Sequence, residues 1–128
     1  MREIFGRYLR AGAMSHDADA LAELFTEDGV YEAPLVPPGH AFPNRLEGRE
    51  AIRAAMAAYY ARATGPDGAV DAEKTRLVLH DTADPDVFMA EIDTVFDTGV
   101  TVSLVQIFRL RDGRIALLRD YFAPDVVG

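Results

Sequence analysis

One carboxylate in this chain stands among apolar residues. Asp120 lies in the run 114–122, and its neighbours two positions away on either side are Leu118 and Phe122. Because side chains alternate between the faces of a strand, these three residues would share one face. Burying a carboxylate beside apolar groups is costly unless hydrogen bonds compensate it. This cost makes Asp120 the first candidate for a catalytic residue.

Two further acids, Glu91 and Asp93, occupy alternate positions of the run 87–96 and would share a face of another strand. If that face lines a cavity, both acids lie opposite Asp120. Burial and neighbouring like charges then raise carboxyl pKa values. One acid could then be neutral while another is a base, as general acid–base catalysis requires. Alternatively, both face solvent and pair with arginines across the sheet. On the first interpretation, Asp93 is the catalytic partner of Asp120 and Glu91 contacts substrate.

Several other side chains are candidates for substrate contacts. Gln106 lies mid-strand among apolar residues and could donate a hydrogen bond to a ligand, or could be a core amide bonded to backbone. His80 could be a base, although a lone histidine on a strand is more often a packing residue. Tyr8 and Met56 would join Leu118 and Phe122 in the apolar wall, either around a ligand or filling the space themselves.

The chain contains no cysteine, and its three histidines show no ligand spacing with one another or with acids. We therefore expect no metal and, because glycine-rich phosphate loops are also absent, no cofactor. The net charge of -8 argues against nucleic acid as a partner. We expect a cytoplasmic protein without a signal peptide or membrane span, forming one domain over residues 1–128.

The spacing of apolar residues indicates helices first and strands afterwards. Helices are predicted over residues 2–14, from Asp17 to the turn 27–29, and over 48–62, with a short strand at 30–35. A loop is expected at 36–46, and a mobile glycine- and proline-containing linker at 64–71. Strands are predicted at 73–83, 87–96, 100–110 and 114–122, separated by turns rich in Asp and Gly. This order predicts an α+β fold with helices packed on one face of an antiparallel meander.

Long strands twist, so the sheet should curl around the helices and leave a pocket inside. Its outer, convex face would carry apolar side chains that a monomer would leave exposed to water. We therefore expect a homodimer through the convex sheet face. The residues assigned to that face are Ile92, Phe96, Val105, Ile107, Leu117 and Tyr121.

This layout, with VYEAPLVPP before an EGREAI helix start, resembles the nuclear transport factor 2-like superfamily, and within it the SnoaL-like branch. The resemblance covers nearly the whole chain. It implies a cone-shaped curled antiparallel sheet wrapped around three N-terminal helices, the cystatin-like α+β barrel.

Limonene epoxide hydrolase, a relative in this superfamily, has an RDYF tetrad on its last strand, and residues 119–122 match it. By that resemblance the aspartate of the tetrad, Asp120 here, activates water. The acid of that enzyme matches Asp93 and its water-holding tyrosine matches Tyr31. At the positions of its arginine and asparagine, this chain has Glu91 and Ala33. The residue set that direct epoxide hydrolysis uses is therefore not fully kept.

Two other relatives resemble the chain differently. The base of ketosteroid isomerase would fall at Ala33 and its oxyanion-hole aspartate at Gln106, so that arrangement is not kept. Polyketide cyclases keep an acid at the position of Asp120, where it serves as a general acid or base. This last group fits best.

The resemblance and the residues together predict a cofactor-free acid–base enzyme that acts on a small apolar carbonyl or epoxide compound, in natural-product metabolism. The reaction would be a cyclisation, an isomerisation or an epoxide opening, with Asp120 and Asp93 moving protons and Glu91, Gln106, His80 and Tyr31 fixing the substrate. The alternative is a non-catalytic ligand-binding or association domain of the same fold.

Overall fold

The computed structural model describes residues 2–62 and 68–127, and its helices enclose one side of a sheet. Helix α1 continues directly into a π-helical turn, and a short 3₁₀ turn closes the chain. No helix among the described residues is long and apolar enough to span a membrane. The helical elements are α1 (Glu3–Leu9), the π-helical turn (Arg10–Met14), α2 (Ala18–Glu23), α3 (Arg49–Arg62) and the 3₁₀ turn (Pro124–Val127).

Six strands form one curled, unclosed sheet in the order β2-β1-β6-β5-β4-β3. All neighbours are antiparallel except β1 and β6, which pair in parallel. The predicted fold class, α+β with a curled sheet around N-terminal helices, is confirmed. The strands are β1 (Phe25–Glu32), β2 (Arg45–Glu47), β3 (Arg76–Asp81), β4 (Val87–Val95), β5 (Thr101–Arg111) and β6 (Arg114–Tyr121).

The hairpin between β5 and β6 turns where the sequence predicts it. Asp112 and Gly113 have φ angles of 53° and 77°, the left-handed region that two-residue hairpin turns require. Farther along the hairpin, Leu110 pairs with Ile115 but Arg109 pairs with Leu117, so β6 carries one extra residue. This bulge turns Ile115 into the core, whereas strict alternation assigns it to the outer face.

An aromatic cluster joins α1 to the middle of the sheet. Phe5 meets Phe108 and Phe88 edge to face, with ring centroids 5.7 and 6.3 Å apart. Phe88 and Phe108 stack on each other with centroids 4.7 Å apart, as their pairing on β4 and β5 allows. All three side chains are fully buried, which anchors α1 beside the pocket.

The N-terminal elements differ from the prediction in their ends. Asp17 caps α2 as expected, since its carboxylate accepts a hydrogen bond from the Ala20 N–H at 3.0 Å. The helix ends at Glu23, however, and β1 begins at Phe25 rather than at residue 30. Pairing of Phe25 with Ile115 of β6 outweighs the helical spacing of the preceding residues.

The later elements match the prediction more closely. The predicted loop 36–46 ends in the short strand β2, and β3 is shorter than the predicted strand 73–83. Residues 64–67 of the predicted linker 64–71 lie outside the described residues. The phase assumed for β4 is wrong: Ile92, which we placed on the convex face, lines the inner pocket.

Candidate functional site

A cavity of about 290 Å³ lies between the concave face of the sheet and the helices. This volume is at the lower end of the range for small-molecule sites. The sheet supplies Tyr31, Ile92, Thr94, Leu104, Gln106 and Asp120 to its wall, and Phe122 follows directly after β6. The helical elements, their connections and the loop before β2 supply Tyr8, Leu9, Gly12, Ala13, His16, Phe42, Met56, Tyr59, Tyr60, Val126 and Val127.

Asp120 is held in the cavity wall by two hydrogen bonds. The Tyr31 hydroxyl donates to its Oδ2 at 2.7 Å, and the Gln106 Nε2 donates to its Oδ1 at 3.3 Å. Its side chain is almost completely buried. The carboxylate is therefore fixed in orientation before any ligand arrives, which favours catalysis by positioned groups.

The pairing of the strands explains this convergence. Gln106 on β5 and Asp120 on β6 are directly opposite each other in the antiparallel ladder, so their side chains emerge side by side. Tyr31 on β1 pairs with Leu118 on the other side of β6, one alternation away from Asp120 on the same face. Three strands thus bring three polar side chains to one point.

Burial raises the pKa of Asp120 from its ordinary 3.8 to about 6, because the charged form loses its hydration. The hydrogen bonds from Tyr31 and Gln106 favour the charged form and oppose part of this rise. A carboxyl group that titrates near 6 is largely ionised at neutral pH yet is a stronger base than an exposed aspartate. The site therefore offers a buried carboxylate that can accept a proton near neutral pH.

The phenols beside Asp120 remain protonated. Burial raises the pKa of Tyr8 and of Tyr31 well above the ordinary value, and the negative charge of Asp120 raises both further. The pKa of Tyr60 rises to about 12, again mainly through burial. At neutral pH these hydroxyls are therefore hydrogen-bond donors.

Glu91 and Asp93, predicted to face Asp120, lie on the convex side of the sheet instead. The Asp93 carboxylate accepts a hydrogen bond from the Ser103 hydroxyl at 2.7 Å, and Glu91 pairs with the His80 ring. Placing these acids, and His80, in the cavity was wrong. The other face of β4, which carries Ile92, packs toward the core because burying its apolar side chains is favourable.

The structure brings together five other predicted residues. The cavity is lined, along with Asp120, by Tyr8, Tyr31, Met56, Gln106 and Phe122. Leu118, also predicted as a contact, is fully buried in the core and is not part of the cavity wall. Asp120 faces the cavity from the same strand, two residues closer to the C-terminal end of β6.

Several cavity residues were missed as site residues. Phe42 comes from the loop before β2, where no periodic pattern of apolar residues could indicate it. Tyr59 and Tyr60 reach the cavity from α3, although the sequence did not single them out as ligand contacts. The His16 ring stacks on Tyr60 with centroids 4.8 Å apart and also lines the cavity.

Among residues 2–62 and 68–127, no group of three or more His, Cys, Asp or Glu side chains is arranged to hold a metal ion. Asp120 is the sole carboxylate that lines the cavity in the same part of the chain. The polar groups around the Asp120 carboxylate are two phenols, Tyr8 and Tyr31, and the Gln106 amide, within a largely aromatic wall.

Comparison with known proteins supports the resemblance seen in the sequence. The family model of the SnoaL-like domain matches residues 5–118. An uncharacterised PhzA/B-like protein of Pseudomonas aeruginosa is 34% identical over 113 residues, covering 84% of this chain and 74% of that protein.

Solved structures of other proteins share this fold. A presumed isomerase from Bacillus subtilis superposes with a TM-score of 0.68 at 26% identity, covering 98% of this chain and 92% of that one. A presumed polyketide cyclase from Sinorhizobium meliloti gives a TM-score of 0.57 at 28% identity, with 94% of both chains covered. The chain therefore belongs to the SnoaL-like family of the nuclear transport factor 2-like superfamily.

Proposed function

We propose that this protein is a cofactor-free acid–base enzyme that moves a proton on a small, largely apolar carbonyl compound. The observation that carries the proposal is the buried Asp120 carboxylate, fixed by Tyr31 and Gln106 in the wall of a ligand-sized cavity. Its raised pKa, about 6, matches what a general base requires near neutral pH.

In the proposed reaction, the ionised Asp120 removes a proton from a carbon next to the carbonyl group. Tyr8, a neutral phenol on the cavity wall, is placed to donate a hydrogen bond to the oxygen on which negative charge develops. Phe122 and the other aromatic side chains exclude water and hold the apolar part of the substrate. Asp120 then returns the proton elsewhere on the product.

An isomerisation or a cyclisation fits this arrangement better than an epoxide opening. Opening an epoxide by the route that the resemblance suggested needs a second acid across from the base, and Asp93 lies on the opposite side of the sheet. Isomerase and polyketide cyclase are also the activities presumed for two structurally similar proteins above 25% identity.

A non-catalytic binding module is the second candidate. It is favoured by one observation: both Asp120 oxygens already accept hydrogen bonds from the protein. A carboxylate satisfied in this way could be a structural part of a pocket that only binds its ligand. The two candidates differ in whether Asp120 exchanges protons with a bound compound.

Deuterium exchange tests the difference without knowledge of the natural substrate. 2-Tetralone, a small aromatic ketone with acidic hydrogens beside its carbonyl, is incubated with the protein in D₂O and followed by ¹H NMR. We expect exchange faster than in the same buffer without protein, with a rate that rises with pH through about 6 as Asp120 ionises.

Asp120→Asn should lower this rate by about a hundredfold or more, the usual contribution of a positioned base. Asp93→Asn makes the same chemical change on the convex face and should leave the rate unchanged. Exchange that survives in Asp120→Asn, or no acceleration by the wild-type protein, contradicts the enzymatic proposal and favours the binding module.

A further inference from the structure

The Asp120 carboxylate is buried without a positive charge beside it. The residue is 7% exposed, and its two hydrogen-bond donors, Tyr31 and Gln106, are neutral. No cationic side chain of residues 2–62 and 68–127 acts on the pKa of Asp120, which burial raises and the two hydrogen bonds lower. Burying an ionised group without a partner of opposite charge is unfavourable, so a positive charge in the cavity would stabilise this carboxylate.

The rest of the cavity wall suits a cation better than an anion. Tyr8, Tyr59 and Tyr60 line the cavity and are only half-buried, so part of each side chain remains accessible. The faces of aromatic rings carry partial negative charge and attract ammonium groups. No lysine or arginine lines the cavity among the described residues, so an anionic ligand would find neither of these cations in the wall.

The charge of Asp120 reaches these rings. It raises the pKa of Tyr8, which also responds to Tyr60, so the Tyr8 phenol lies near both groups. The Tyr60 ring in turn lies beside the Tyr59 ring, with centroids 5.9 Å apart. A cation among the three phenols would therefore be attracted by the carboxylate without touching it, because charges interact strongly where water is excluded.

Two basic side chains lie next to this part of the wall. The Arg62 guanidinium stacks over the Tyr59 ring, 5.6 Å from its centroid, but Arg62 is exposed and does not line the cavity. Water and salt therefore screen its charge. The His16 ring lies parallel to the Tyr60 ring and covers one of its faces. The opposite faces of Tyr59 and Tyr60, and the accessible part of Tyr8, are left for a ligand.

We propose that the ligand of this cavity carries a protonated or quaternary ammonium group, which lies against Tyr8, Tyr59 and Tyr60 and is attracted by Asp120. The inference rests on the proposed function for the place where the substrate binds. It narrows the substrate to a carbonyl compound that also bears an amine. A positive charge within such a compound stabilises the negative charge that develops on the carbonyl oxygen when a neighbouring proton is removed.

A pair of probes with the same shape tests the requirement for charge. Phenyltrimethylammonium is a cation, and tert-butylbenzene is neutral because carbon replaces the nitrogen. Dissociation constants are measured by NMR titration of the wild-type protein at pH 7.5, where Asp120 is largely ionised. We expect the cation to bind about tenfold more tightly than the neutral probe.

Two variants show which carboxylate attracts the cation. Asp120→Asn keeps the shape of the side chain but removes its charge, so the two probes should bind with similar affinity. Asp93→Asn removes a charge from the convex face and should keep the preference, which controls for the net charge of -8. In wild-type protein, nuclear Overhauser effects between the N-methyl protons and the rings of the cavity tyrosines should locate the cation, even if Asp120→Asn does not fold.

The proposal is wrong if wild-type protein binds the neutral probe as tightly as the cation, if the cation does not bind, or if its N-methyl protons show no contact with the cavity tyrosines. A preference that survives in Asp120→Asn, or that disappears in Asp93→Asn, would also overturn it. These failures are distinct from failure of the proposed function, because deuterium exchange is measured on 2-tetralone, which carries no charge.

Discussion

At the scale of single residues, the main feature of the site is the balance of effects on the ionised form of Asp120. Burial disfavours the ionised form, and the donors on Tyr31 and Gln106 favour it, so the pKa settles near 6 instead of rising further. This balance has a consequence for stability, because an unfolded chain would give the same carboxyl its ordinary pKa of 3.8.

Between pH 4 and 6 the native protein holds a proton on Asp120 that the unfolded chain releases. The free energy of unfolding should therefore fall as pH rises through this range. Asp120→Asn removes the titrating group, so the difference in unfolding free energy between wild type and variant should change by roughly 2 kcal/mol from pH 4 to pH 7. Urea unfolding at several pH values measures it.

Asp93→Asn serves as the control for this measurement. The variant retains Asp120, so its stability should follow pH as the wild-type protein does. If the unfolding free energies of wild type and Asp120→Asn change with pH in parallel, the pKa of the Asp120 carboxyl is not shifted in the native state.

At the scale of elements, the pairing of β1 with β6 fixes the position of Tyr31. Along β1, Phe25 pairs with Ile115 and Val30 with Leu117, so β1 advances five residues while β6 advances two. Gly29 lies inside this irregular stretch. A Cβ placed on it would lie 3.0 Å from the Ile115 carbonyl oxygen and 3.0 Å from the Thr26 carbonyl oxygen.

We predict that Gly29→Ala destabilises the protein by about 1–3 kcal/mol, because backbone atoms cannot yield as side chains do. Gly12→Ala is the matched control, another buried glycine whose added Cβ would meet only side-chain atoms, at 3.5 Å or more. It should be at least as stable as wild type, since alanine favours helical backbone. Equal urea midpoints for the two variants would contradict the prediction.

At the scale of the whole molecule, the convex sheet face remains to be explained. Val105, Ile107, Leu117 and Tyr121 are half-buried there, as the hairpin pattern predicts, and they pair with one another or with charged residues across the strands. We propose that a second copy of the chain covers this face, because these apolar side chains are otherwise left partly exposed to water.

The Ile107→Lys variant should therefore be monomeric in sedimentation velocity experiments, while the wild-type protein sediments as a dimer. A charge buried at the centre of an interface is strongly unfavourable without a partner. Leu35→Lys is the control, because Leu35 is 53% exposed in the loop after β1, away from the sheet face. A wild-type monomer, or a dimer that survives Ile107→Lys, would disprove this interface.

The sequence by itself determined the order of the main elements and singled out Asp120 as an acid among apolar residues. Turn residues such as Asp112 and Gly113 indicate the hairpin through their local backbone preference. The spacing of Asp120 with Leu118 and Phe122 places an acid on an apolar face of the strand. These signals are local, so they survive without knowledge of the partner strands.

Only the tertiary structure decided which face of β4 is inside. Alternation divides a strand into two faces but does not say which one meets the helices, and both faces of β4 mix apolar and polar residues. The parallel contact between β1 and β6 likewise joins segments about 90 residues apart, so no local pattern reveals it. The meeting of Tyr31, Gln106 and Asp120 follows from these long-range pairings, because each strand contributes one side chain to the same point.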